Sequence, residues 1–461
     1  MRLFWHRRDV RTRDNVGLAA AAADGPVVPV FVCESDMLTS LGRRQRAFLL
    51  RGVRRLRERY RELGSDLVIA AGAPRSVLPK LAERFDAEAV HYNDHYRPAR
   101  RNRGRRVRDA LADDGVDAES ATDLLLVDPG RLERSYPNHS RFYDDWQAIP
   151  KRAPVDEPDP DALAEVSDDT EIPVPDPDID LPAAGYDAAR ERFDGFLESG
   201  IRTYNDTRDD LALAVDEPTH AVSRMSPYIA AGMIGVRELW AAASEVADGA
   251  TGDEYRNVDK YRYELSWREQ NYHLLYYNPD LAVENYKSLP GEIEWRDDDE
   301  DLAAWQAGET GYPLVDAGMR QLNEEGYIHN RPRQVVASFL TKHLLIDWRT
   351  GARYFTKQLV DHDHAVNHGN WQWIASTGTD SVDVRIFDPV SQMSKYDAGA
   401  DFVKAYVPEL RDVPAGKVVD WPTLSDDERE RLAPDYPHPI VDRNAGYERA
   451  QRVFERALGK R

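Results

Sequence analysis

Four residues in one stretch of the chain have the chemistry to hold a flat ligand that forms hydrogen bonds. Glu264, Trp267, Arg268 and Asn271 occur in the run ELSWREQN. Steps of three and four residues place them on one face of an α-helix. An indole beside hydrogen-bonding groups can receive a nucleic-acid base by stacking. The same spacing suits an intrahelical Glu–Arg pair beside a core tryptophan, so the pattern alone leaves both interpretations open.

A second group combines hydroxyls with an arginine ahead of a short apolar run. Ser223, Arg224, Met225 and Ser226 precede the sequence PYIAAGMI. Hydroxyls and unpaired backbone N–H groups at the start of a helix suit a phosphate. An ordinary helix cap would also explain either serine, because serine is a preferred N-cap residue.

Acidic and imidazole side chains alternate from Asp361 to His364, and a polar run rich in tryptophan follows from Asn367. These side chains are good metal ligands. Their tight alternation lacks the spacing of HExxH or another recognised metal motif, so we expect no metal here. Packing is the usual role of a single tryptophan, yet four lie among polar residues rather than in an apolar stripe: Trp295, Trp348, Trp371 and Trp373.

The scaffold that positions these groups is predicted to comprise two domains, because 461 residues exceed what one core usually supports. Over residues 1–150, apolar runs alternate with amphipathic stretches, which predicts a parallel sheet in a Rossmann-like α/β domain. No GxGxxG or Walker signature identifies its ligand. The predicted strands are Leu3–His6, Val27–Cys33, Leu67–Ala70 and Ala89–Tyr92, and the predicted helices are Arg43–Leu63, Pro74–Phe85 and Arg97–Leu111.

The second half of the chain differs in composition. Residues 151–185 are rich in Pro, Asp, Glu and Ala, which predicts an extended, charged connector. Residues 186–461 carry helical periodicity with few strand-like runs, so we expect an all-α domain. The final run, DRNAGYERAQRVFERAL, predicts an amphipathic helix.

Composition limits the setting and the partners. The single cysteine, Cys33, excludes an internal disulfide and a cysteine-rich metal site. We therefore expect the protein to be located in the reducing cytoplasm. We also expect no membrane-spanning segment. The net charge is −21, which repels phosphate at long range. Nucleic-acid binding would therefore need a local basic groove. The acidic excess is typical of a protein kept soluble in concentrated salt, which would screen that repulsion.

Several long motifs resemble the photolyase and cryptochrome family, and class I cyclobutane pyrimidine dimer photolyases in particular. They are FWHRRDVRTRDN, GYPLVDAGMRQL, HNRPRQVVASFLTKHLLIDWR, NWQWIASTGTD, RIFDPVSQ and YVPEL, and they cover nearly the whole chain. The resemblance implies an N-terminal α/β antenna domain and a C-terminal helical domain that holds FAD in a folded, U-shaped conformation. It also implies light-driven repair of pyrimidine dimers in DNA.

The resemblance assigns residues to the cofactor. It implies that Arg333 and Asp361 form an ion pair beside the isoalloxazine ring, and that Asn367 lies beside flavin N5. An aspartate at that last position would suggest the signalling chemistry of animal cryptochromes. The other implied FAD contacts are Tyr204, Ser223, Arg224, Met225, Ser226, His362 and Asp363.

The resemblance also assigns residues to the lesion. Trp267 and Trp373 would stack against a dimer flipped out of the duplex, while Glu264 and Asn330 would bind its pyrimidine edges. Four arginines are expected to position the phosphates: Arg208, Arg268, Arg331 and Arg385.

The implied mechanism is electron transfer. Excited, reduced FAD donates an electron to the dimer, the ring opens, and the electron returns, while the protein fixes donor and lesion close together. Trp371, Trp348 and Trp295 match the tryptophan chain that photoreduces oxidised flavin in this family.

Three positions depart from the family pattern. Val222 replaces a threonine of the phosphate-binding segment, and Gln334 replaces the methionine usual beside the lesion. Arg97 stands where folate-binding members place a glutamate, which leaves a deazaflavin, methenyltetrahydrofolate or an empty antenna site open. The histidine pair expected of enzymes that act on the (6-4) photoproduct is not found at HNRPRQ.

Two other functions compete with repair. A cryptochrome-type blue-light receptor is the main alternative, and Asn367 and both stacking tryptophans argue against it. A non-photochemical nucleotide-binding or electron-transfer flavoprotein would explain the first domain but not the lesion residues. We expect the protein to act as a monomer.

Overall fold

The N-terminal part of the chain contains the predicted parallel sheet, with five strands rather than the four that the sequence indicated. The computed structural model describes residues 1–379 and 384–460, so Asp380, the last residue of the NWQWIASTGTD motif, lies outside them. The strand order is β3-β2-β1-β4-β5. This order reverses beside β1, where doubly wound sheets leave a crevice at the carboxyl ends of the strands. The strands are β1 Arg2–His6, β2 Val27–Cys33, β3 Val68–Ala71, β4 Ala89–Asn93 and β5 Asp117–Ala121.

Helices cover both faces of this sheet. Phe4 of β1 belongs to an apolar cluster with Phe48, whereas its neighbours Leu3 and Trp5 belong to another cluster with Leu78. Because side chains alternate between the faces of a strand, the two clusters lie on opposite sides of the sheet. The helices are Val16–Asp24, Ser35–Thr39, Arg43–Glu62, Pro74–Phe85, Pro98–Asp113 and His139–Ala148.

Residues 151–185, the predicted connector, run in close contact with the sheet part of the chain. Leu163 forms a parallel bridge with Val27, and the backbone N–H of Ala164 donates to the carbonyl of Val27 at 2.8 Å. Ile172 is buried, and the guanidinium of Arg54 donates to its carbonyl at 2.6 Å. The connector is therefore held by packing and by hydrogen bonds to its backbone groups.

The C-terminal part is helical, as predicted. Its longest helix, Gly252–Tyr277, carries the ELSWREQN run. The helix Asn330–Ser338 continues into a π-helical segment, Phe339–His343. Among the described residues the other helices are Tyr186–Glu198, Tyr204–Thr207, Leu211–Asp216, Pro218–Ala221, Ser226–Ala231, Val236–Gly249, Asp299–Ala307, Pro313–Glu325, Trp348–Gln358, His364–Ile374, Pro389–Tyr396, Asp401–Tyr406, Ala415–Val419, Asp426–Leu432 and Arg443–Ala457. No helix within residues 1–379 and 384–460 is long and apolar enough to cross a bilayer.

A buried ionic cluster joins the helical part to the sheet part. Arg237 is 1% exposed, and its guanidinium donates to Asp14 at 2.7 Å and to Asp123 at 2.6 Å. Arg11 donates to the other oxygen of Asp123 at 2.5 Å. Removing one partner of a buried pair leaves an uncompensated charge, which costs about 3–5 kcal/mol. The two parts are therefore tied together by charge as well as by packing.

Candidate functional site

Two adjoining cavities open among the helices of the C-terminal part. The first has a volume of about 230 Å³ and the second about 140 Å³, and Arg333, Val366 and Asn367 line both. The first is also lined by Tyr204, Ser223, Met225, Ser226, Ile229, Ala230, Tyr261, Glu264, Leu265, Arg268, Leu359, Asp361 and Asp363. The second is also lined by Asn330, Gln334, Ala337, Phe355, Asn370, Trp371, Trp373 and Ile374. We call this pair of cavities the central chamber.

An ion pair stands where the two cavities meet. The guanidinium of Arg333 lies 3.3 Å from the carboxylate of Asp361. The side chain of Asp361 is 4% exposed and that of Arg333 is 26% exposed, so the arginine is the more accessible partner. A guanidinium held in this way presents positive charge to a ligand while its own charge stays compensated.

Asp363 organises the wall beside this pair. Its carboxylate caps the helix His364–Ile374 by accepting from the N–H groups of Ala365 and Val366. It also accepts from Arg8 at 2.7 Å and from the hydroxyl of Tyr272 at 2.5 Å. Burial alone would raise the pKa of this carboxyl, but Arg8 and the hydrogen bonds outweigh burial and hold the pKa below its usual range. Asp363 is therefore ionised and fixes the start of the helix that carries Asn367.

Asn367 has a defined amide orientation. Its Nδ2 donates to the carbonyl of Ala352 at 3.1 Å. Its Oδ1, which can only accept, has no partner within the described residues and is the atom left for a ligand. A neutral acceptor at this position can bind an N–H group of a flat ring.

The hydroxyl segment enters the chamber in part. The helix begins at Ser226, and its N-cap residue is Met225, which makes no side-chain cap, so capping does not occupy either serine. Ser223, Met225 and Ser226 line the first cavity. Arg224 does not: it adopts a left-handed backbone conformation with φ of 48°, and its side chain pairs with Glu325 at 2.8 Å. The structure thus separates Arg224 from the three neighbours with which it was predicted to act.

The predicted lesion residues fall into three places. Asn330, Gln334 and Trp373 line the second cavity, and Glu264 lines the first. Trp267 lines neither cavity.

Trp267 is held by a residue that sequence reasoning did not single out. The imidazole of His139 stacks on its indole with ring centroids 3.7 Å apart and planes 6° apart. The two ring nitrogens of His139 bond to the hydroxyls of Tyr263 at 2.9 Å and Ser266 at 3.0 Å. Burial lowers the pKa of His139 to about 3, so the ring is neutral at physiological pH. The local sequence offers one indication only: Asn138 is a favourable N-cap residue for the helix that begins at His139.

Two of the four predicted phosphate-binding arginines are engaged with acidic groups. Arg208 pairs with Glu264 at 2.8 Å, and Arg331 pairs with Asp209 at 2.6 Å. Arg385 lies over the ring of Trp373, 4.5 Å from its centroid. Arg268 lines the first cavity and lies over the ring of Tyr272. The groove is therefore less cationic than four free arginines would make it, because carboxylates offset two of them.

A separate cavity lies at the switch point of the sheet. It is lined by His362, which does not line the central chamber, and by Arg97. Buried nitrogens without a partner among the described residues also lie there, namely Nη1 of Arg100 and Nδ1 of His362. The other lining residues are Arg7, Arg8, Leu41, Gln45, Leu49, His95, Ala230, Ala231 and His364. We call this the switch-point cavity.

Of the three tryptophans of the predicted chain, Trp371 lines the central chamber, whereas Trp348 and Trp295 do not. Trp371 lines the second cavity and packs edge-on against Phe355 and Trp305. The Nε1 of Trp348 donates to Asn285 at 3.1 Å, and Trp295 packs edge-on against Phe454. Trp305, 6.2 Å from Trp371 between ring centroids, was not singled out from the sequence because its short helix, Asp299–Ala307, carries no motif.

Buried polar atoms without a protein partner face the central chamber. Within the described residues, Nε of Arg333, Nη2 of Arg268 and Nε1 of Trp373 have no hydrogen-bond partner. Buried donors are normally paired, so three of them around one chamber indicate a polar ligand that completes the site. The part of the chain that the structure describes holds no cluster of three or more His, Cys, Asp or Glu side chains arranged for a metal ion.

Comparison with known proteins identifies relatives along the full length. The family description "DNA photolyase" matches residues 2–161, and "FAD binding domain of DNA photolyase" matches residues 261–456. The chain is 44% identical to the deoxyribodipyrimidine photo-lyase of Halobacterium salinarum, covering 100% of both chains. A bacterial class III photolyase from Agrobacterium tumefaciens has a similar structure, with a TM-score of 0.90, 34% identity and coverage of 100% of this chain and 98% of that one. A Synechocystis cryptochrome has a TM-score of 0.88 with 26% identity and coverage of 98% of both chains.

Proposed function

The chain belongs to the DNA photolyase family, and from that premise we propose that it is a deoxyribodipyrimidine photo-lyase, an FAD enzyme that uses light to split cyclobutane pyrimidine dimers in DNA. The observation that carries this proposal is the continuity of the central chamber. The residues suited to a flavin, Arg333, Asp361 and Asn367, and those suited to a lesion, Asn330 and Trp373, line two cavities that share walls. A donor and an acceptor bound there would lie close together and away from water.

The residues of the chamber fit FAD. Nε of Arg333 and Nη2 of Arg268 are donors without a partner in the part of the chain that the structure describes, and they suit the anionic and carbonyl groups of the cofactor. Ser223 and Ser226 would contact the phosphates, and Oδ1 of Asn367 would accept from N5–H of the reduced ring. When bound, reduced FAD supplies the light-excited electron that opens the cyclobutane ring. The protein's part is to hold the ring against Arg333 and Asn367 and to exclude water.

The lesion would enter from the side of the second cavity. Trp373 offers an indole whose buried Nε1 has no partner among residues 1–379 and 384–460, and Arg385 covers one of its faces. Asn330 is exposed at the rim and would bind a pyrimidine edge. A dimer is less well stacked in the duplex than a normal base step, which lowers the free energy needed to flip it into such a cavity.

Trp267 would act from the neighbouring surface. One of its faces is covered by His139, so only the other face could stack on a base. Glu264, which pairs with Arg208, would accept from an N–H group of the flipped pyrimidine. The carboxylate would then exchange part of its bonding with Arg208 for bonding with the lesion.

For the antenna we propose the switch-point cavity. Its arginines and histidines suit an anionic chromophore, and within the described residues Nη1 of Arg100 and Nδ1 of His362 have no partner. A deazaflavin and methenyltetrahydrofolate are both candidates. The absorption spectrum of the purified protein and mass spectrometry of the released pigment would distinguish them.

We further propose that the enzyme acts as a monomer in the cytoplasm. Its lone cysteine, Cys33, is consistent with a reducing compartment. Sedimentation velocity at working concentration tests the oligomeric state, and fractionation of cells tests the location.

One experiment tests the function. The protein is loaded with FAD, reduced, and illuminated with a duplex that carries one thymine dimer, and restored thymines are counted beside a dark control. Repair that requires light and dimer supports the proposal. A light-induced spectral change without any restored thymine would support the cryptochrome alternative and overturn the proposal.

A further inference from the structure

Gln334 is a residue of the second cavity to which the proposed function gives no part in holding FAD. It lies on the helix Asn330–Ser338 one turn after Asn330, so both side chains point to the same side of the helix. Both line the cavity that contains Trp373. Gln334 therefore lies where a flipped pyrimidine would present its hydrogen-bonding edge.

The amide of Gln334 is held in one orientation. Nη1 of Arg331 donates to its Oε1 at 2.9 Å. Because a guanidinium can only donate, the atom it contacts must be the carbonyl oxygen, and the NH₂ group occupies the other position. The assignment of the two amide atoms therefore follows from chemistry.

Arg331 is itself fixed. Its guanidinium pairs with Asp209 at 2.6 Å and stacks over the ring of Tyr396, 4.1 Å from the centroid. Its side chain is 11% exposed. A rotation of the Gln334 amide by half a turn would place the NH₂ group against these fixed donors, so the orientation is maintained by repulsion as well as by attraction.

The Nε2 of Gln334 consequently offers donors alone. Within the described residues this atom has no hydrogen-bond partner. At the C4 position, thymine and uracil carry a carbonyl oxygen, which accepts, whereas cytosine carries an amino group, which donates. Two donors facing each other leave both unpaired, which is unfavourable in a cavity.

We propose that Gln334, oriented by Arg331, is a specificity-determining residue that favours dimers whose pyrimidine carries a C4 carbonyl over dimers that carry cytosine. The inference rests on the proposed function. Asn330 can turn its amide to suit either base because it is exposed at the rim, and discrimination therefore resides in Gln334. A methionine at this position would have no donor with which to discriminate.

Binding in the dark tests this preference without the photochemical step. The FAD-loaded protein is titrated with duplexes that differ in one dimer: thymine–thymine, thymine–cytosine, or cytosine–thymine. Because one side chain reaches one base, we expect about tenfold weaker binding of one of the two cytosine isomers. Deamination of that cytosine to uracil restores the carbonyl and should restore tight binding.

Three variants complete the test. Gln334→Met should lose the discrimination and keep binding of the thymine dimer within about threefold, and Gln334→Glu, which offers an acceptor, should favour the cytosine isomer. Gln451→Met makes the same chemical change on an exposed face of the last helix and should behave as the unchanged protein. The flavin spectrum of each variant verifies that the chamber is intact.

The outcomes separate the two proposals. If the unchanged protein binds no dimer more tightly than undamaged DNA, the proposed function is wrong. If it binds dimers but Gln334→Met and Gln334→Glu retain its ratio of affinities, or if neither cytosine isomer binds more weakly, only the role of Gln334 is wrong.

Discussion

The imidazole of His139 lies flat against the indole of Trp267, with 3.7 Å between ring centroids and 6° between planes. These rings come from helices far apart in the sequence, and both nitrogens of the imidazole are engaged by hydroxyls. The contact restrains the plane of an indole that we propose to stack on the lesion.

His139→Ala should weaken binding of a dimer-containing duplex by about tenfold, because an aromatic stacking contact contributes about 0.5–1.5 kcal/mol and its loss frees the indole. His139→Phe keeps a flat ring and should stay within about twofold of the unchanged protein. Fluorescence anisotropy with dimer-containing and undamaged duplexes gives both numbers. Equal losses in His139→Ala and His139→Phe would contradict a positioning role based on stacking.

Asp361→Asn should reduce the flavin content of the purified protein. The substitution leaves the guanidinium of Arg333 without its carboxylate at the wall of the central chamber. We expect flavin affinity to fall about tenfold or more, a smaller effect than for a fully buried pair, because Arg333 is partly exposed. Asp253→Asn is the control, since its pair with Arg256 lies on the surface and contributes little. Flavin absorbance per protein measures the effect, and full occupancy in Asp361→Asn would contradict it.

Gly351→Ala should disturb photoreduction of oxidised flavin. A Cβ at Gly351 would lie 2.2 Å from the indole of Trp371 and 2.6 Å from Leu340, so the indole must move. We expect slower photoreduction and a loss of about 1–3 kcal/mol in stability. Repair by chemically reduced enzyme should be retained, as in Trp371→Phe. Gly195→Ala, where no atom lies within 4 Å, is the matched control. Unchanged photoreduction in both Gly351→Ala and Trp371→Phe would remove Trp371 from the electron path.

His343→Phe should make the protein more resistant to acid. His343 is fully buried, and burial lowers its pKa from 6.5 to about 4. Between pH 6.5 and pH 4 the unfolded chain binds a proton that the folded chain does not. The free energy of unfolding therefore decreases as the pH falls below 6.5, and it stops decreasing near pH 4. At pH 5 the loss amounts to about 2 kcal/mol.

The phenylalanine variant removes this loss and can still stack on Phe339, as the imidazole does. Denaturant unfolding at pH 8 and pH 5 measures the effect. At pH 8 both proteins are neutral at this position, so the difference there reports packing alone. An equal fall in stability for both proteins between pH 8 and pH 5 would contradict the prediction.

Helices and strands could be predicted from the sequence where burial of one face leaves a periodic pattern of apolar residues. The apolar runs predicted four of the five strands, and Pro74–Phe85 was predicted with its observed bounds. The fifth strand, Asp117–Ala121, was missed because its sequence, DAESA, lies at the exposed edge of the sheet and carries no apolar alternation. An edge strand of this kind takes its conformation from backbone hydrogen bonds to the neighbouring strand of the sheet.

The site was accessible only as a set of residue types. Motifs indicated Arg333, Asp361 and Asn367, and the structure brings them to one chamber. No local pattern indicated that Arg208 would pair with Glu264, or that His139 would cover Trp267, because these contacts depend on how distant helices pack. The sequence predicts that Glu264 and Trp267 lie on the same face of one helix, yet in the fold these two side chains have different neighbours.

The guanidinium of Arg237, enclosed with Asp14 and Asp123, has a consequence for how the polypeptide can be divided. Neither half could be produced alone without leaving this cluster incomplete. Asp14 and Asp123 would keep Arg11 but lose Arg237 in one fragment, and Arg237 would lack a carboxylate in the other. Heating should therefore melt both halves in a single step, and proteolytic nicking of the connector should leave the fragments associated.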